Sequence, residues 1–353
     1  MTTFDPIKAL SGLINIVSLS KSEDEAAIYM EAILDENGIP YFRDKKNVWA
    51  KNKNFKEGKY TILLNSHIDT VKPNRGYSKD PYCAIIEEGK LYGLGSNDAG
   101  GALMCLLGTF LHFYDQENLP FNIVFAASAE EEISGVNGME YLYKHLPKID
   151  FAIIGEPTLM QISIAERGLM VLDCTVIGES GHAARKEGVN AIYKAIEDID
   201  WFRTYNFPKH SEELGGISMT VTVINSGSQH NVVPAECNFV VDVRVNDQYT
   251  NQEVLEMIRE NVSCIVKPRS TRLNSSGVNK SHPIRNVAEK LEIKTYGSPT
   301  LSDQALIPCD SIKMGPGDSV RSHTADEFIF IDELETAIRK YIDVINALGE
   351  EVI

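Results

Sequence analysis

The sequence predicts an α/β protein, a domain with a mixed central sheet flanked by helices, interrupted by an α+β insert of ferredoxin-like pattern. Three observations predict it. Short apolar runs bounded by polar loops, such as Ile62-Leu63-Leu64 and Ile123-Val124-Phe125, alternate with amphipathic stretches of helical period in the first part of the chain. Near residue 167 the order changes to strand, helix, strand, strand, helix, the pattern of a compact α+β unit. From Pro283 the first pattern resumes. The chain has 353 residues, beyond the usual single domain of about 100–150. The expected division is therefore 1–166 with 281–353, and an insert of 167–280.

Taken in order, 5–18 and 23–36 read as amphipathic helices, the second closing at Asn37-Gly38. Residues 60–66 read as a buried strand, 99–113 as a helix opening on small residues, 121–127 as a strand, 136–145 as a helix and 151–154 as a strand. In the insert, 169–177, 218–225 and 237–245 read as strands and 189–203 and 250–263 as helices. A long amphipathic helix over 331–348 closes the chain.

An apolar share of 43% and a charged share of 24% suit a soluble globular protein. A net charge of −16 repels phosphate backbones and anionic lipid, which argues against nucleic-acid and membrane partners. No apolar run approaches the ~20 residues that span a bilayer. The stretch Met1 to Leu10 has no signal-peptide pattern, so a cytoplasmic location is expected. Cys83, Cys105, Cys174, Cys237, Cys264 and Cys309 are widely spaced, with no C-x-x-C pair. They read as reduced, mostly buried thiols, which argues against a cysteine nucleophile or a cysteine zinc site.

The residues with chemistry to offer lie at the loop ends of the predicted buried strands, where open α/β sheets place their sites. In Ser66-His67-Ile68-Asp69, the carboxylate is spaced to orient the imidazole and leave one ring nitrogen for a metal; alone, this pattern is more often a plain histidine. Gly93-Leu94-Gly95-Ser96-Asn97-Asp98 reads as a tight loop presenting Asp98 at a helix start, with an ordinary N-cap as the alternative. Glu130-Glu131-Glu132 crowds three carboxylates after a strand and requires a cation, protons or full solvation. Glu156, between Gly155 and Pro157, ends another apolar run, and His323 follows the loop Gly315-Pro316-Gly317-Asp318. Together these form a nitrogen and oxygen donor set suited to zinc, with a glutamate to spare for proton transfer.

In the order and spacing of these motifs nearly the whole chain resembles the dinuclear-zinc deacylases and exopeptidases, the family that includes acetylornithine deacetylase and succinyl-diaminopimelate desuccinylase. The resemblance implies two divalent ions, zinc first, with cobalt and manganese able to share such ligands. It implies His67, Asp98, Glu132, Glu156 and His323 as metal ligands, with Asp98 bridging and a cis peptide after it. Asp69 would orient His67, and Glu131 would be the general base. His182, in Gly181-His182-Ala183-Ala184, would reach the active site of a partner in a homodimer, and the insert would act as lid and dimerisation domain. Asn231 and Arg244 would hold the substrate carboxylate. Arg167 stands where relatives that remove succinyl groups carry an arginine; the competing reading is a surface hinge residue paired with Glu166. The chain departs from the family pattern at Glu130, usually Asp, and at Ala99-Gly100-Gly101, where a Lys or similar residue usually follows the bridging Asp.

The activity implied is hydrolysis of the amide of a small N-acyl amino acid, N-acetyl- or N-succinylornithine of arginine biosynthesis. The alternatives are a diaminopimelate desuccinylase, an aminoacyl dipeptidase and, from another class, a non-catalytic binding protein. The last is expected to lose a ligand or the base, and here all five ligand positions and Glu131 are present.

Overall fold

The computed structural model describes residues 4–352. The chain divides into two compact units, Met1–Ile164 with Gly277–Tyr296 and Ser302–Ile353, and Ala165–Ser276 with Gly297–Leu301.

In the first unit, Tyr41–Asp44 (β1) and Asn47–Lys51 (β2) form a hairpin, followed by Thr61–His67 (β3), Asn122–Ser128 (β4) and Phe151–Ile154 (β5). β2 runs antiparallel to β4, while β3 runs parallel to both β4 and β5. Every residue of β3, β4 and β5 is buried. Side chains alternate between two cores, as a two-residue period requires. Ile62, Leu64, Ile123 and Phe125 enter the larger core with the helices Gly101–Phe113 and Ile331–Glu351; Leu63, Val124 and Ala126 enter a smaller one with Trp49, Met139 and Leu142. Both sheet faces are therefore covered. The register sets His67 beside Ser128 and Asn65 beside Ile154, so two of the parallel strands end together and the third two residues earlier.

In the second unit, Gly168–Ile177 (β6), Ser218–Ser226 (β7), Glu236–Val245 (β8) and Ile265–Pro268 (β9) form an antiparallel sheet in the order β7-β8-β6-β9. Burial in β6 alternates along the strand, so one face carries the core with the helices Ala191–Thr204 and Asn251–Asn261. Thr250 and Glu253 close a capping box on the second helix. Gly297–Leu301, beyond the boundary expected at 280, groups with this unit, where the Ser298 carbonyl accepts the Arg167 N–H. The chain then returns to the first unit, and Asp310–Lys313 (β10) lies parallel to β5.

Two predicted helices are shorter than expected because tertiary hydrogen bonds claim their ends. The helix expected over 5–18 stops at Ile14. Ser18 then donates to the Ile68 carbonyl, and its own carbonyl accepts the Thr70 N–H. Of the helix expected over 136–145, only Met139–Leu142 forms. The Glu130 carboxylate accepts both the backbone and side-chain N–H groups of Asn137, and a Cβ at Gly138 would lie 2.0 Å from the Ala129 carbonyl. Among the described residues, no helix is long and apolar enough to cross a membrane.

Candidate metal centre

His67 is the last residue of β3 and is 2% exposed. Its Nδ1 lies 2.9 Å from the Asp69 carbonyl oxygen, which only accepts, so Nδ1 is a donor there and Nε2 is the nitrogen left to face Asp98. The Asp69 carboxylate is farther from Nδ1, at 3.5 Å. It accepts the Ser20 hydroxyl at 2.7 Å and the N–H groups of Glu131 and Glu132 at 3.0 and 3.3 Å. Asp69 thus faces His67 with both its carbonyl and its carboxylate, and its side chain also pins the glutamate turn.

Asp98 sits in the turn Ser96–Gly100, ahead of the helix Gly101–Phe113, and the Asp98–Ala99 peptide is cis, as the resemblance implied. The residue capping that helix is Gly100, so the N-cap alternative for Asp98 does not hold. The two glycines permit close approach, since a Cβ at Gly100 would lie 2.6 Å from the Gly95 carbonyl and one at Gly101 2.9 Å from that of Ser96. Glu156 follows β5 after Gly155, whose N–H donates to the Asn65 carbonyl. His323 lies on the loop beyond β10.

These residues converge. His67 Nε2 lies 3.4 Å from Asp98 Oδ1 and 4.0 Å from Glu131 Oε2. His323 Nε2 lies 3.0 Å from Glu132 Oε2 and 3.6 Å from Asp98 Oδ2. Donor atoms of His67, Glu131 and Glu156, and of His67, Asp98 and Glu132, fall within 4.8 Å of one another. Glu130 stands outside the cluster, held in its own loop by Asn137.

The electrostatics are those of anions crowded in a buried place. Burial, then Asp98, pushes the Glu156 carboxyl up to about 8, and His67 and Lys313 only partly oppose this. Burial, with Glu156, Asp303 and Glu132 nearby, pushes Glu131 well above the carboxylate range. Burial depresses His67, but contacts with Asp69, Asp98 and Glu131 outweigh it and the net direction is upward. The Glu132 contact lifts His323 to about 9. Divalent cations would relieve this crowding, and two imidazoles with several carboxylates are a donor set that fits them.

Two buried carboxylates that the sequence reading did not assign support the cradle. Asp303, 2% exposed, accepts from Asn65 Nδ2 at 3.1 Å and Ser128 Oγ at 2.6 Å, tying the ends of β3 and β4. Glu327, 1% exposed, accepts the N–H groups of Asn97 and Asp98. The position of Glu327, four residues after His323, was the available signal; Asp303 had none.

The other predicted residues lie in the second unit. His182 is exposed, at the start of a short 3-10 turn, and its Nδ1 accepts the Ala184 N–H. Asn231 adjoins it, its carbonyl accepting the Ala183 N–H. Arg244 makes a two-pronged pair with Asp242, at 2.7 and 3.0 Å. The Arg167 guanidinium donates to the Leu214 carbonyl and to Ser218 Oγ. Glu166 is buried, not on the surface, and its carboxylate accepts the Ser276 hydroxyl.

A nitrogen and oxygen cradle with a carboxylate to spare, at the ends of parallel strands, defines a metal-dependent hydrolase. Residues 63–347 match Peptidase family M20/M25/M40, and the chain belongs to this family, as a metal-dependent amidohydrolase. It is 30% identical to acetylornithine deacetylase of Proteus mirabilis (strain HI4320), over 82% of this chain and 79% of that protein. It is 25% identical to succinyl-diaminopimelate desuccinylase of Orientia tsutsugamushi (strain Boryong), over 96% and 95%. The crystal structure of aminopeptidase PepT from Bacillus cereus ATCC 10987 shares the fold, with a TM-score of 0.76 and 18% identity over 97% of this chain and 98% of that one. The α/β fold and the family expected from the motifs are both found.

Proposed function

We propose that this chain is a zinc-dependent deacylase of N-acyl amino acids, acting on N-acetylornithine in arginine biosynthesis, in the cytoplasm, as a homodimer. The observation that carries the reading is the placement of Glu131, 4.0 Å from Nε2 of His67, with burial raising its carboxyl well above the ordinary carboxylate range. His67 and Glu156 would hold one ion, Glu132 and His323 the other, and Asp98 both. Two bound ions supply Lewis acidity to the scissile carbonyl and to water.

Glu131 takes the proton of the attacking water and returns it to the leaving amine nitrogen. His182 accepts at Nδ1, so its proton is on Nε2, the tautomer that donates to a developing oxyanion. Arg244 uses Nε and Nη2 on Asp242, which orients the guanidinium and leaves the Nη1–Nη2 edge for a substrate carboxylate. Arg167 is engaged by Leu214 and Ser218, which favours the acetyl over the succinyl version of this reading. The dimer reading is supported by an apolar exposed face in the second unit, with Tyr193 and Ile196 on one helix and Val223 and Ile224 on the edge strand β7.

Released amine measured over N-acetyl- and N-succinylornithine, N-succinyldiaminopimelate and dipeptides, with zinc present, tests the assignment. N-acetylornithine is expected to give the highest kcat/KM. Turnover confined to dipeptides overturns the deacylase reading.

A further inference from the structure

Glu327 takes no part in the chemistry above, yet its carboxylate is 1% exposed and lies against the turn that carries Asp98. A single oxygen, Oε1, accepts the N–H groups of Asn97 and Asp98, both at 2.9 Å. The Gly95 amide approaches the same carboxyl group. The Glu327 carbonyl accepts the Gly93 N–H at 3.0 Å, and the next residue pairs in register, Phe328 opposite Tyr92. The turn Ser96–Gly100 has no side-chain cap of its own. The Asn97 side chain is occupied elsewhere, bonded at both ends to the backbone of Asp318. Without Glu327, two N–H groups of the turn would lie in a buried place with no acceptor, and the turn would relax to find one.

We propose that Glu327 is a positioning residue for the metal centre, fixing the backbone on which Asp98 is held so that both carboxylate oxygens face His67 and His323. Asp98 Oδ1 and Oδ2 lie 3.4 and 3.6 Å from those two imidazoles, an aim that depends on the turn. The segment 318–327 thereby carries one donor, His323, and clasps the loop of another. This rests on the reading of Asp98 as the shared ligand.

The test is zinc retention by the full-length protein, read as metal content after dialysis against graded EDTA and independent of turnover. E327A is expected to release zinc at a chelator concentration at least tenfold lower, and to lower kcat at least tenfold with KM within about twofold. E327Q keeps a carbonyl oxygen at the Oε1 position and is expected to restore both to within about threefold. E327D, one methylene shorter, draws the acceptor away from the amides and is expected to weaken zinc retention while remaining folded; it decides the matter should E327A not fold. Unchanged retention in E327A or E327D overturns the proposal, as does an E327Q defect equal to that of E327A. D98N separates the two levels of the argument. D98N retaining zinc like the unchanged protein overturns both the ligand reading and this inference. D98N losing zinc while E327A retains it overturns this inference alone.

Discussion

The strand-end cradle of the first unit and the segments of the second that carry His182 and Arg244 are built on opposite terms. In the cradle three of the predicted elements are held from behind. His67 is fixed by the Asp69 carbonyl, the Glu131–Glu132 turn by the Asp69 carboxylate, and Asp98 by amides on Glu327. In the second unit His182 is exposed, with one local hydrogen bond from Ala184. Arg244 is oriented by one neighbour on its own strand. Buried carboxylates that repel each other require such a frame, because each lost contact leaves an uncompensated charge. An exposed histidine does not, since water satisfies it until substrate arrives. The lesson is that the buried carboxylate cluster of the first unit is assembled in advance, while the exposed His182 and the half-buried Arg244 of the second have few fixed contacts.

The largest effect that can break this contrast is at Glu131. If it moves the proton and Glu132 holds metal, E131Q should keep zinc and lose at least about 100-fold in kcat, the scale of an acid–base residue. E132Q should instead lose bound metal. Zinc content by atomic emission beside kcat separates the two. An active E131Q removes the assignment.

His182 sharpens the contrast next. H182A should lower kcat by about 100-fold, the scale of one oxyanion donor, with zinc content unchanged because nothing in the cradle rests on it. A mixture of H182A and E131Q subunits should regain part of the activity, since one pairing rebuilds an intact site. Absence of recovery with subunit exchange demonstrated by mass spectrometry counts against a donor from the partner.

The same contrast explains what was legible in the sequence. His67, the Glu130–Glu132 run and Glu156 each stand within a few residues of an apolar strand whose period marks it as buried, so the pattern that predicts the sheet also predicts its ends. Asp98 and His323 lack such a marker and were placed by motif order. Ser20, Asp303 and Glu327 reach their partners across 49, 238 and 229 residues of chain, from segments with no period to signal a role. The shortened helix at 136–145 failed for the same reason. Asn137 is claimed by Glu130, a tertiary contact that local propensity does not register.

A smaller effect is expected at Arg167. Its guanidinium is engaged by Leu214 and Ser218 within its own unit, so R167A should lower stability without discriminating between acyl groups. The ratio of kcat/KM for N-succinyl- over N-acetylornithine should change by less than about twofold, under about 0.4 kcal/mol. A tenfold fall in that ratio would instead make Arg167 a contact for the acyl carboxylate and move the substrate reading to the succinyl compound.

The smallest effect is a pH dependence of stability, strongest in the metal-free protein. Burial and neighbouring anions lift Glu156 and Glu327 to about 8, Asp303 to about 6, and Glu131 well above its ordinary range. Contacts with carboxylates raise His67 on balance and bring His323 to about 9, the latter counting for less because it is half exposed. All of these changes have one sign: the folded chain holds protons that the unfolded chain has released. Stability then falls as pH rises, beginning near the ordinary carboxylate value of about 4.3 and continuing to about 8. Asp69 and Asp98 are lowered from 3.8, so their opposing contribution is confined to more acid conditions. The apoprotein should therefore melt several degrees lower at pH 8 than at pH 5.5, at roughly 2–4 °C per kcal/mol for a unit of about 150–250 residues. Bound zinc would offset the repulsion among the ligand carboxylates, and the same scan with zinc should fall less over that range. An apoprotein whose Tm rises from pH 5.5 to 8 would mean that the cradle carboxylates do not repel one another, and the need for support from Asp69, Asp303 and Glu327 would lose its physical cause.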